Sequence, residues 1–200
     1  MVDRRSKLIE EGASAVGGTW NLMLGRPDAL SRFDFSQRGL AGSFIALIVA
    51  FVVFTAITEM GAAARQTMSP AGQLFITGTL IAARFVALRV VLPCLDALHG
   101  FRPVMVASNW VNAIAVGGLV GVTFCVAFAG ALMLGPTAGE TLVAIILTLW
   151  AAIAIATFIA EINILRIIAG LRGSEVVMVL AAQLFAMILA VFILAQLPLD

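Results

Sequence analysis

The chain has 200 residues, 62% of them apolar and only 12% charged, with a formal net charge of +1 at neutral pH. An ordinary soluble domain is about one-quarter charged, and a mean hydropathy of +1.11 excludes a water-soluble globule. What remains is an all-α, polytopic membrane protein in contact with the lipid bilayer, and no nucleic-acid partner is expected.

Residues 1–38 are the one sizeable polar segment. Leu8, Ile9, Ala13, Val16, Trp20 and Met23 recur at spacings of three and four, opposite Glu10, Glu11 and Ser14. That spacing predicts an amphipathic helix lying in the cytoplasmic interface or against a partner. Gly12, Gly17 and Gly18 weaken it by about 1 kcal/mol each relative to alanine. Arg26-Pro27-Asp28 predicts a turn, and ALSRFDF a short helix whose Phe33 and Phe35 dip into lipid.

Five apolar segments fill residues 39–200 and predict five transmembrane helices. Residues 39–58 are uncharged up to Glu59, which is expected in solvent; a charged lead of 38 residues is too long for a signal peptide. Ser69-Pro70 predicts a serine N-cap with proline in the first turn, opening a second span over 70–92 that contains Arg84 and Arg89. Pro93 bends its end and Gly100 closes it. The third segment, 103–139, runs 37 residues without a charge between Arg102 and Glu140, well beyond the roughly 20 that a span needs. Thr137 with Glu140 predicts a capping box for a fourth span over 141–162, and Ser174-Glu175 caps a fifth over 176–197.

Arginines set the expected orientation. With five spans, one side holds Arg4, Arg5, Lys7, Arg26, Arg32, Arg38, Arg89, Arg102, Arg166 and Arg172, whereas the outer loops hold Arg65 alone. The positive-inside rule therefore puts the N-terminus in the cytoplasm and the C-terminus outside. Splitting 103–139 into two spans would move Arg166 and Arg172 outside, so a single span is expected. Eleven of the twelve basic residues are arginine, which points to a high-GC bacterial source; for a five-span helical protein of bacterial type an inner-membrane location is expected. Tyrosine is absent, leaving Trp20, Trp110 and Trp150 to supply any interfacial aromatic belt.

Small residues form ladders at four-residue spacing: Ala113, Gly117, Gly121, Cys125 and Ala129 on the third span, Thr148, Ala152, Ala156 and Ala160 on the fourth, and Ala182, Ala186 and Ala190 on the fifth. In lipid such residues let helix backbones approach closely, so these seams are expected to pack the bundle, with homodimerisation or docking onto another membrane protein as the alternative. Arg84 lies about 21 Å of helix from the outer cap of its span. A charge at that depth must pair, snorkel or line a path, and Glu161 is the acidic residue that reaches a similar level. An Arg84–Glu161 pair, an Arg84 that snorkels, and a substrate or proton path all remain open.

Asp96 and His99 are expected to share a local hydrogen bond, Asn109 and Asn112 to flank Trp110 as an interfacial anchor, and Gln183 to bond across helices. Cys94 and Cys125 fall at different depths and predict no disulfide. No phosphate loop, nucleophile–base pair or metal-ligand cluster is present, so neither enzymatic activity nor a cofactor is expected.

The segments GRPDALSRFDFSQRGLAGSF (25–44) and VASNWVNAI (106–114), with a cytoplasmic lead and five spans, resemble bacterial proteins in or near the Ypt-interacting-protein (YIP) domain family. The resemblance implies the five-span fold and no activity. The DLYGP-type motif of eukaryotic members is absent, so their contact with Rab GTPases maps to no residue here. The function expected is that of a structural or accessory inner-membrane protein, with a small transporter or permease subunit using Arg84 and Glu161 as the alternative.

Overall fold

The computed structural model describes the backbone of residues 2–62, 69–133 and 139–196 and the side chains of 10–57, 69, 71–130 and 139–196. Its elements are α1 (Val2–Met23), a 3-10 turn (Pro27–Arg32), α2 (Gln37–Ala62), α3 (Pro70–Cys94), a 3-10 turn (Leu98–Gly100), α4 (Phe101–Met133), α5 (Gly139–Asn163), a π-helical turn (Ile164–Ile168) and α6 (Gly173–Leu194). Five apolar spans of 21, 24, 33, 30 and 22 residues lie over α2, α3, the second 3-10 turn with α4, α5 with its π turn, and α6, each enough to cross about 30 Å of hydrocarbon. The chain is an all-α, multi-pass membrane protein. As far as the described residues reach, to Met133, the long third segment is one continuous helix, as expected.

Local signals end the helices where backbone groups need partners. At the close of α1, Gly25 takes φ +68°, letting the N–H groups of Gly25 and Arg26 reach back to Leu22 and Asn21 in a left-handed cap. Ser69 accepts from the Gly72 N–H at 3.2 Å and starts α3. At the far end of α3, Asp96 takes φ 54° while the Leu95 and Ala97 N–H groups share the Leu92 carbonyl. The opening of α6 differs from expectation. Arg172, not Ser174, is the N-cap residue, and its own N–H donates to the Glu175 carboxylate at 2.7 Å. Thr137, Arg65 and the side chain of Glu59 lie outside the described residues.

The core sits at one end of the bundle. The α1 helix packs there against α4, α5 and the first 3-10 turn, while α2 lies on α4 and α3 on α6. Leu22, Phe33, Leu92, Val104, Ile164 and Val176 meet in one buried cluster. Toward the opposite end, residues 71–86 of α3 and 139–159 of α5 include none that is buried. Lipid solvates such surfaces, so nothing drives them together as water would.

The α1 face that docks on the bundle is Ala15, Gly18, Thr19 and Leu22, while Ala13, Val16 and Trp20 point outward. Three expectations about packing need correction. Phe33 is buried rather than dipped in lipid: its ring lies so close to Gly18 that a β-carbon there would come within 2.7 Å. Trp150 is no interfacial residue either. Midway along α5, its indole N–H donates to Thr123 at 3.0 Å and its ring meets Phe54.

The third correction concerns the ladders. Ala113 and Ala160 are buried and Ala156 is half-buried, but Gly117, Gly121, Cys125, Ala129 and Ala152 face outward. At 3.6 residues per turn, Gly117 lies about half a turn around α4 from Ser108, and Ser108 faces α5. The close approaches fall one register over, where Gly118 meets Ile153 and Gly130 meets Leu142.

Candidate functional site

Four polar side chains from three helices converge inside the bundle. Arg84 of α3 and Glu161 of α5 form an ion pair through Nη2 and Oε2. Ser108 of α4 donates its hydroxyl to the same carboxylate oxygen at 3.0 Å, and Arg84 Nη2 also approaches the Ser108 hydroxyl at 3.5 Å. Asn112, one turn further along α4, donates to the other oxygen of Glu161 at 3.1 Å and to the Ser108 carbonyl at 2.7 Å.

This geometry follows from helix spacing. Ser108 and Asn112 stand four apart and share a face, which is the face that meets α5. Arg84 lies about 21 Å of helix from Pro70 and about 15 Å from Cys94, within the span and nearer the α1 end. Ser108 is fully buried, and Glu161 is 7% exposed. The structure thus brings together the two residues that charge and depth single out.

Chemically, the cluster pairs its charges internally. A carboxylate accepts hydrogen bonds at both oxygens, and Glu161 has both engaged from within the chain. Inserting an isolated charge at the bilayer centre costs about 3 kcal/mol on insertion scales, so the pair offsets two such costs while crosslinking α3, α4 and α5. Removing one member would leave the other buried and uncompensated, a change worth about 3–5 kcal/mol.

A second polar contact fixes the other side of α4. Asn109 is fully buried and donates to the Ser43 hydroxyl of α2 at 3.1 Å, and Ser43 in turn donates to the Leu40 carbonyl at 2.8 Å. Asn109 and Asn112 are therefore interior crosslinks, not a frame for an interfacial Trp110. Their i, i+3 relation, with Ser108 adjacent, was the available signal: three polar residues within five positions of an otherwise apolar helix need interior partners.

The end of α5 is modified just beyond Glu161. Ile164–Ile168 form a π turn, a local widening common near functional positions, and Asn163 donates to the Leu22 carbonyl of α1 at 2.7 Å. Gln183 is buried, yet its side chain makes no hydrogen bond among the described residues, and Asp96 and His99 are not bonded to each other. Cys94 and Cys125 are free thiols. Among the described residues no group of His, Cys, Asp and Glu side chains is placed to hold a metal ion. No protein-family model, no curated protein and no solved structure matches the chain.

Proposed function

We propose that this is a structural or accessory protein of the bacterial inner membrane, with its N-terminus in the cytoplasm and its C-terminus outside, that binds other membrane proteins. The observation that carries this reading is the internally paired Arg84–Ser108–Asn112–Glu161 cluster. Its charges are spent on holding three helices together, with both oxygens of Glu161 engaged by side chains of the chain itself.

The orientation draws support from Arg26, Arg32, Arg38, Arg89, Arg102, Arg166 and Arg172, all exposed at the α1 end. The binding role draws support from the outward small-residue face of α4 and the outward Val16–Trp20 face of α1, surfaces suited to helix partners in lipid. The five-span layout agrees with the family resemblance, which brings no activity with it.

Purification from native membranes in mild detergent, followed by mass spectrometry, tests the proposal. A stoichiometric membrane-protein companion is expected; a clean monomer or homodimer would sink it. A second reading, a small transporter or permease subunit, is favoured by one feature: Arg84 keeps 18% of its side-chain surface exposed within a span. Under that reading, a well-folded Glu161→Gln variant loses flux in proteoliposomes while keeping its thermal stability.

A further inference from the structure

We propose that the cavity beneath the α3–α4 turn binds the headgroup of an anionic phospholipid. The cavity has a volume of about 450 Å³ and is lined by Arg89, His99 and Arg102 with Phe35, Leu98 and Phe101. Arg89 lies near the end of α3 and Arg102 in the first turn of α4, so the tight turn between them brings two guanidinium groups to one opening. The Arg89 guanidinium carbon sits 5.9 Å from the centre of the Phe101 ring, a cation–π contact that holds the charge over the cavity.

The charge is free to act. Both arginines are exposed, and neither has an ion-pair partner among the described residues. No carboxylate lines this cavity: Asp34, next in sequence to the lining Phe35, has its carboxylate held by the Ser36 N–H and hydroxyl at 2.9 Å each, and Asp96 of the same turn is exposed outside the lining. The other polar cavity at this end, about 370 Å³, has Glu10, Glu11 and Asp34 beside Arg32 and so lacks the same bias.

Position selects a lipid as the source of the phosphate. The turn joins two membrane-crossing helices, which sets its opening where hydrocarbon gives way to headgroups. Leu98, one of the lining residues, is 43% exposed and offers an acyl chain an apolar contact beside the arginines. Basic pockets at helix ends suit acidic headgroups, and paired guanidinium groups match phosphate oxygens in geometry as well as charge.

The test uses full-length protein in mild detergent, exchanged with equal amounts of phosphatidylglycerol and phosphatidylcholine and read by native mass spectrometry. Wild type is expected to retain the anionic lipid preferentially. Arg89→Gln/Arg102→Gln should lower that preference by roughly 25-fold, each arginine contributing about fivefold, whereas Arg166→Gln/Arg172→Gln at the same end should change it less than about twofold. Equal retention of the two lipids by wild type would overturn the proposal without recourse to any variant. So would equal loss in the two double variants, which marks diffuse surface attraction, or displacement of the lipid by inorganic phosphate, which marks a soluble ligand.

Discussion

Asn112 gives both protons of its amide to one corner of the bundle: one to the carbonyl of Ser108 on its own helix, the other to the Glu161 carboxylate on α5. Glu161 is thereby held by α4 as well as by Arg84 of α3, and each partner can be tested separately.

Removing either charge should unfold the inner bundle more readily than removing both. Arg84→Ala and Glu161→Ala are each expected to lower stability by about 3–5 kcal/mol, while Arg84→Met/Glu161→Met recovers most of that loss. Thermal unfolding in detergent, followed by tryptophan fluorescence, reads the cycle. If the double variant fell below both single variants, the pair would have a role that apolar packing cannot replace.

Truncating the neutral partners should cost less, and in a set order. Asn112→Ala loses a bond to a charged group and is expected to cost about 1.5–3 kcal/mol; Asn109→Ala loses a neutral bond to Ser43 and about 1 kcal/mol. Measured unfolding midpoints in the reverse order would show that the α2–α4 contact, not the ion pair, governs stability.

Glycines on α1 and α4 should separate by face. Gly18→Ala sets a methyl group against Phe33 and the Arg32 side chain, with gaps of 2.7–2.9 Å, and should cost about 1–3 kcal/mol. Gly117→Ala and Gly121→Ala enter open space and should stabilise the purified chain by up to about 1 kcal/mol each through helix propensity. Loss of a co-purifying companion in those two variants, with the chain itself intact, would place the companion on that face.

The turn after α3 offers a backbone test. Asp96 holds a left-handed conformation at φ 54°, which costs most side chains about 1–2 kcal/mol. Asp96→Gly should therefore match or exceed wild type in stability and Asp96→Val fall below it, as read by the same unfolding assay.

Helix number and extent were legible because hydropathy and length alone decide whether a segment can span lipid. Partner faces were much less so. The ladder from Gly117 to Ala129 looked like a seam by its spacing, yet what orients α4 is the need of Ser108 and Asn112 to meet Glu161. A polar demand of several kcal/mol outranks the weak preference of small residues for close contact. Arg84 and Glu161 were readable because charge inside a span is rare. For Ser108 and Asn112 the spacing shows only that they need interior partners, since nothing in a linear pattern says which helix will face them.

Arg84 and Glu161 are 77 residues apart in the chain, and this distance sets a schedule for biogenesis. At about 5–20 residues per second, Arg84 is synthesised roughly 4–15 s before the carboxylate that neutralises it. During that interval α3 carries a charge without its partner, at a cost of about 3 kcal/mol on insertion scales. Arrival of α5 removes that cost, so the fourth span completes a polar contact that the first three cannot make alone.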